Sequence, residues 1–247
     1  MDLKKKEQIE IDYWKNSRTE APGRFSRSNF INKSQECLNL DYKINKHWSI
    51  IKDKKRILEI GGGQGWASCY IKRFCIPKAH FTVTDISPHA LESLVFWENI
   101  FDVKIDQAFP AKSYDIDAPD GSYDLIFCYA AAHHFVEYEK TLKELYRILS
   151  DGGYVLWLYE PTSSRLFYRL HHYYVNRMPH HTPEDVIIPS RIQEISTRIG
   201  FEYVNHYDPH QKIIRSLSSG FYFNILKWVP FLKKIMPGSS DLIFSKK

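Results

Sequence analysis

Apolar positions recur along this chain on two different periods. Between residues 51 and 160, short apolar runs are separated by longer stretches of helical pattern. The runs are Ile57–Ile60, Phe81–Ser87 (FTVTDIS), Leu125–Cys128 and the β-rich segment that follows Ser150-Asp151-Gly152-Gly153. Helices are predicted over PHALESLVFW, which starts at Pro88, and over Glu137–Leu149. Strand and helix in alternation mark an α/β fold, a doubly wound parallel sheet with helices on both faces. Farther on, PSRIQEISTRI predicts a helix over 189–199 that stops at Gly200, a residue suited to the left-handed position after a helix. Phe201–His206 and Asp241–Ser245 read as two more strands. Residues 1–50 read as helical, with apolar and aromatic positions at Ile9, Tyr13 and Trp14 and then a looser TEAPGRFSRSNF.

The first run carries the strongest chemical signal. Arg56–Ser68 reads RILEIGGGQGWAS: an apolar strand holding one acid, four glycines, then a helical stretch. Glycines let a backbone approach a ligand closely, and the helix behind them offers unpaired N–H groups. A tight connection without a ligand is the plain alternative. The dinucleotide pattern G-x-G-x-x-G needs a third glycine where Trp66 stands. What fits is E-x-G-x-G-x-G, formed by Glu59, Gly61, Gly63 and Gly65. This resembles motif I of the class I S-adenosylmethionine-dependent methyltransferases. Three further stretches resemble the same family in order. Asp85 ends the second apolar run, twenty residues after Gly65. Asp120-Gly121, Tyr123, Asp124 and Leu125–Cys128 look like the family's fourth strand. The helix over Glu137–Leu149, closing on Leu-Ser-Asp-Gly-Gly, looks like its turn into strand five. The matches cover about Ile51–Ser164.

The resemblance implies a Rossmann-like seven-stranded sheet with an antiparallel seventh strand. It divides the chain into an N-terminal helical cap, 1–50, and a methyltransferase domain, 51–247. It implies S-adenosylmethionine as cofactor, bound by Glu59, Gly61, Gly62, Gly63 and Gly65, with Tyr129 at the end of strand four. Asp85 would accept from both ribose hydroxyls; Ser87 before Pro88 is the better helix cap. One position departs from the pattern. The family often places an acid about a dozen residues before Asp124 to meet the adenine amino group, and here Lys112 stands near that place, with Asp106 and Asp115 out of register. Adenine is then expected on Ser113 or on backbone, with Ile86 packed against the ring.

Two segments exceed what the plain fold needs: 162–188 after strand five and 207–240 between strands six and seven. Long loops in a compact domain are usually functional. Both leave from the edge where open α/β sheets bind ligands. They are expected to act as lids over an acceptor pocket, with the N-terminal helix closing it. Phe167, Tyr168, Tyr173, Tyr174, Phe221, Tyr222, Phe223 and Trp228 could wall that pocket, or pack on the sheet as a small subdomain.

Charge and composition narrow the partners. A net charge of +5, without an arginine-rich run, does not suggest a nucleic-acid binder. In place of an Asn-Pro-Pro-Tyr signature after strand four stands Cys128-Tyr129-Ala130-Ala131, which counts against DNA bases. The four cysteines lie scattered, with no C-x-x-C pair, as in a reduced cytoplasmic protein. The start, MDLKKKEQIEIDYW, lacks the apolar core of a secretory signal. From Gln211 onward Lys212, Arg215, Lys227, Lys233, Lys234, Lys246 and Lys247 face Asp241 alone. Lysines among aromatics over 221–236 suggest peripheral membrane contact, a basic pocket for a phosphorylated acceptor, or a buried helix with wet lysines, and Pro230 interrupts that helix.

The methyl group of a sulfonium is already activated, so the protein mainly aligns the acceptor and excludes water. An oxygen acceptor also benefits from a base, for which histidine is suited. The candidates are His133 and His134 after strand four, and His171 and His172 in the first insertion, which also holds His180 and His181. His133-His134 resembles a pair that in small-molecule members shapes the site without acting as base. The paired histidines have no cysteine or acid at ligand spacing, so no metal is expected. The function expected is methyl transfer to a small-molecule, glycan or lipid-linked acceptor, with O-methylation slightly favoured by the histidines. The alternatives are transfer to N or C, a non-catalytic binding subunit of the same fold, and a dehydrogenase.

Overall fold

The computed structural model describes residues 3–22, 26–135, 137–177, 184–208, 217–229, 231–232 and 235–247. The elements in chain order are α1 (Leu3–Asn16), α2 (Arg27–Lys46), α3 (Trp48–Ile51), β1 (Arg56–Ile60), α4 (Trp66–Phe74), β2 (His80–Asp85), α5 (Pro88–Leu91), α6 (Leu94–Phe101) and β3 (Gln107–Pro110). Then come β4 (Tyr123–Tyr129), a 3-10 turn over Ala132–His134, α7 (Tyr138–Ile148), β5 (Leu149–Thr162), α8 (Tyr168–Asn176), α9 (Pro189–Ile199), β6 (Glu202–Tyr207), α10 (Leu217–Trp228) and β7 (Gly238–Ser245).

The strands form one seven-stranded sheet in the order β3-β2-β1-β4-β5-β7-β6. All neighbours are parallel except β7, which runs antiparallel to both β5 and β6. The strand period of two sorts the side chains to two faces. On one face Leu58, Ile60, Ile126, Val155 and Trp157 pack with Leu142 and Leu145 of α7 and Ile192 of α9. On the other, Ile57, Phe81, Leu125, Phe127 and Leu156 pack with Leu40 and Ile44 of α2, Ile71 of α4 and Trp97 of α6. Burial on both faces explains why the strands read as near-continuous apolar runs.

Two local expectations change. The single helix expected after Asp85 is broken into α5 and α6 around Glu92 and Ser93. Long-range packing sets the break: Leu94 lies hard against Gly65, and the Trp97 indole donates to Gln64 in the glycine turn. Ser87 stands at the N-cap of α5, but its side chain makes no cap hydrogen bond. In the first long segment, Thr162 bridges to Ile187, and Ser163 N donates to Ile187 O, so the excursion leaves and returns at one point. In the second, α10 occupies the middle and β7 starts at Gly238. His180, His181, Lys212, Arg215, Pro230, Lys233 and Lys234 lie outside the described residues.

Candidate active site

The site begins where β1 ends. Gly61, Gly63 and Gly65 all take positive φ, at +60°, +55° and +76°. Gly62 N donates to Thr84 O at 2.9 Å, which ties the turn to the end of β2. Asp85 closes β2 with a buried carboxylate that accepts from Gly63 N at 2.9 Å and from Ser87 N at 2.8 Å. Burial raises its carboxyl to about 6. Glu59 lies buried under the turn and accepts from Ser68 N and Ser68 Oγ at the start of α4. Burial pushes its carboxyl up to about 8.

A cavity of about 270 Å³ opens over this edge of the sheet. Gly61, Asp85, Ile86, Lys112, Ser113, Ala130, Ala131, His134 and Phe135 contribute to its wall. A smaller one of about 100 Å³ adjoins it and is lined by Glu59, Gly61, Gly62, Gly63 and Tyr129. The two share Gly61, Ala130, Trp14 and Lys33. Gly61, Asp85, Ile86, Ser113 and His134, expected far apart in sequence to serve one site, thus line a single cavity. Ser113 turns its hydroxyl to Thr141 Oγ1 at 2.8 Å, and Tyr129 donates to Glu36 at 2.7 Å.

The roof comes from α1. Lys6, Glu7, Glu10, Tyr13 and Trp14 all line the larger cavity. Trp14 lies against the glycine turn, its ring 3.0 Å from where a Cβ on Gly63 would stand. Glu7 accepts from Lys112 Nζ at 2.8 Å and from the Tyr114 hydroxyl. The carboxylate missing near Lys112 in the sequence pattern therefore arrives from the N-terminal helix. Gln64 carries the glycine turn outward to α2, accepting from Asn29 Nδ2 at 3.0 Å.

The loop after β4 is organised by Glu160, a fully buried acid near the end of β5. It accepts from the backbone N–H of Ala131, Ala132 and His133 at 2.9, 2.8 and 3.1 Å, and from His133 Nδ1 at 2.9 Å. His133 is thereby held under the loop, whereas His134 faces the cavity. His134 Nδ1 donates to Glu10 Oε1 of α1 at 3.0 Å. Burial opposes a charge on His134, but Glu10 outweighs it and holds the imidazole above its ordinary value. His171 and His172 sit half-buried on α8 and are not among the residues lining the cavity. Of the four histidine candidates, the structure brings only His133 and His134 to this place. Sequence reasoning missed Glu7, Glu10 and Glu160. For Glu160 a signal existed, an acid inside the apolar run Leu156–Thr162, the same feature that marked Glu59.

A family model described as a methyltransferase domain matches residues 58–157, from β1 into β5. That stretch holds the glycine turn, Asp85 and the loop after β4. Residues 58–157 thus carry a methyltransferase-like domain. The cofactor that goes with such a domain is S-adenosylmethionine. The residues present fit that cofactor: Asp85 stands at the cavity wall, and any side chain at Gly63 would intrude on the space over the turn. Among relatives, the fatty-acid O-methyltransferase of Mycolicibacterium smegmatis is 28% identical over 103 residues, covering 42% of this chain and 36% of that protein. The demethylmenaquinone methyltransferase of Thermus thermophilus is 29% identical over 110 residues, covering 44% of this chain and 49% of that one. The chain thus spans less than half the length of either. Among solved structures, a putative sarcosine dimethylglycine methyltransferase from Galdieria sulphuraria superposes with a TM-score of 0.63 at 13% identity, covering 98% of both chains. That structure shares the fold over 98% of this chain, although the family match is confined to β1 through β5.

Proposed function

We propose that this chain methylates a hydroxyl or carboxylate oxygen of a small molecule, taken into the cavity between α1, the loop after β4 and the segment around Glu184. S-adenosylmethionine supplies a methyl group already activated for displacement. Gly61 and Asp85 hold that cofactor, with Ile86 and Ser113 at the adenine side. Trp14 and Phe135 exclude water from the cavity. His134, backed by Glu10, is the polar group that meets the acceptor oxygen. One observation carries the reading: the cavity that contains Asp85 also contains His134, so cofactor and acceptor groups share one enclosure.

A lipid-tailed acceptor is favoured over a glycan. Leu166, Leu170 and Tyr173 at α8, and Phe221, Trp228 and Phe231 at α10, stand largely exposed, and Lys227 lies among the latter. Exposed apolar groups of this size mark contact surfaces. The relative from Mycolicibacterium smegmatis carries an O-methyltransferase name with a fatty acid in it. In this reading α8 and α10 are lids that touch a membrane surface peripherally, on a body that works in the cytoplasm. The four cysteines are free, as a reducing compartment would keep them. No helix among the described residues is long and apolar enough to cross a membrane.

The test is turnover with a panel of fatty acids, phenols and amines, read as S-adenosylhomocysteine formed. Methyl ester or ether products support the reading. N-methyl products move the acceptor atom. Cofactor binding by calorimetry, with no product from any acceptor, supports the non-catalytic subunit instead.

A further inference from the structure

We propose that His133, His134 and Glu184 bind a divalent transition-metal ion of the zinc class, at the wall of the acceptor cavity. The chain brings the three together from places fifty residues apart. Asp185 N donates to His133 O at 3.0 Å, which pins the end of the first long segment against the histidine turn. Glu184 thereby reaches the pair, and one donor atom from each of the three lies within 4.8 Å of the others. An ion with nitrogen and oxygen ligands at about 2.0–2.2 Å holds its donors roughly 3.4 Å apart in a tetrahedron, a distance that small side-chain rotations reach.

The surroundings point to a ligand more firmly than the triad does. Each histidine has its Nδ1 on a carboxylate: His133 on Glu160 at 2.9 Å and His134 on Glu10 at 3.0 Å. An N–H given to a carboxylate fixes the tautomer and leaves the Nε2 lone pair free, which is the usual backing of a metal-bound histidine. Two such pairs stand side by side, ring centroids 4.2 Å apart, with the Glu184 carboxylate close to both. The charge balance agrees. Glu10, Glu160 and Glu184 all act on His134, and Asp185, Glu10 and Glu184 all act on Lys6. Lys6 lines the same cavity and is shared by Asp185, Glu10 and Glu184. A site with this excess of carboxylate suits a cation.

His134 and Glu184 both line the cavity that holds Asp85, so the coordination positions left open face the acceptor. An ion with three protein ligands and an open position is the form that binds substrate oxygen. The acceptor class it selects is one with a ligating oxygen, a hydroxyl or a carboxylate. That use rests on the methyl-transfer function proposed above; binding of the ion does not.

The experiment uses the full chain, stripped with a chelator and free of cofactor. Co²⁺ is titrated in and read by its visible d–d absorption, and Zn²⁺ is titrated by calorimetry. We expect one equivalent of each, with Zn²⁺ displacing Co²⁺. Glu184→Gln should weaken binding by at least about tenfold, and Glu10→Gln, which only loosens the backing of His134, by roughly tenfold. Melting curves and cofactor affinity of both variants control for folding. Failure of the wild-type chain to bind a stoichiometric ion overturns the proposal, as does unchanged affinity in Glu184→Gln. Because no turnover enters the readout, an inactive protein that binds the ion upholds the site and sinks only the methyl-transfer function.

Discussion

At the residue scale, Asp85 concentrates the cofactor argument. Its carboxylate already takes two backbone N–H groups, and the same group is the one the family pattern assigns to ribose. Losing a charged acceptor that meets two hydroxyls costs roughly 2–4 kcal/mol. Asp85→Ala should therefore weaken S-adenosylmethionine binding at least about thirtyfold in calorimetry, and a loss under threefold in a folded variant would place the ribose elsewhere. The raised carboxyl adds a pH signature. Its folded value of about 6 lies above the ordinary 3.8, so its contribution to apoprotein stability is fully present below 3.8 and is lost as pH rises through 6. Cofactor affinity should run the opposite way, since the ionised form is the better acceptor: it should fall below about pH 6 by up to roughly tenfold per unit. Gly63 tests the neighbouring contact. At φ +55°, with Trp14 at 3.0 Å from a built Cβ, Gly63→Val is strained and crowds the turn from the cavity side. It should abolish cofactor binding and lower the melting temperature by only a few degrees, because Trp14 rather than the sheet must give. Gly62→Ala is the contrasting control. Its Cβ would stand 2.7 Å from Val83 and 3.0 Å from Glu59, so it should show up as lost stability first.

At the element scale, α1 and α8 make opposite claims on the site. α1 roofs the cavity with Glu7, Glu10 and Trp14, held by the contacts to Lys112, His134 and the glycine turn. Cofactor binding should slow amide hydrogen exchange across Leu3–Asn16; unchanged exchange there would remove α1 from the cofactor site. α8 holds His171 and His172 away from the cavity wall. The double change His171→Ala, His172→Ala should leave turnover within about twofold, whereas His134→Ala should lower it on the order of a hundredfold, the low end for losing a polar group that engages the acceptor oxygen. A large loss from the α8 pair would mean that the lid brings its histidines, and not only its exposed apolar side chains, to the acceptor. The same elements show what a single sequence carries. β1, β2, β4, α7 and α9 were legible because each is periodic in itself and bounded by Gly, Pro or Asp. The break between α5 and α6 was not, since it answers to Gly65 and Gln64, about thirty residues earlier. Likewise, Asp85 and the glycines were legible through local spacing. Glu7, Glu10 and Glu184 were not, because each reaches the site from an element whose own pattern says only "helix" or "loop" and whose position is set by contacts across more than forty residues.

At the scale of the whole molecule, α2 must be fixed to the sheet if α1 is to hang from it over the cavity. The fastening is a buried cluster of charges. Lys43, almost wholly buried, meets Asp241 at 2.8 Å and Asp208 at 3.0 Å. Lys46 meets the same two acids at 3.0 and 2.8 Å, and His47 Nε2 lies 3.0 Å from Asp241. Asp241 sits in β7, the antiparallel strand, so the cluster ties the N-terminal helices to the last part of the sheet. Burial alone would raise the Asp241 carboxyl; the His47 hydrogen bond and the charges of Lys43 and Lys46 outweigh it and hold it well below the ordinary carboxylate range. Removing Asp241 takes this partner from His47 and leaves both lysines on Asp208 alone; breaking a buried ion pair typically costs about 3–5 kcal/mol, whereas the intact cluster against an apolar substitute can be neutral. Asp241→Asn should therefore lower the melting temperature on the order of 10 °C at pH 7. The sign of its pH dependence follows. Because the folded carboxyl is depressed, its stabilisation is present above the unfolded value of 3.8 and fades as pH drops below that, toward the lower folded value. Wild type and variant should thus converge in stability as the pH falls below 4 and diverge above it. Equal melting temperatures at pH 7 would show the cluster to be incidental, and α2 to be held by its other contacts, Leu40 and Ile44 in the core and Asn29 and Glu36 at the site.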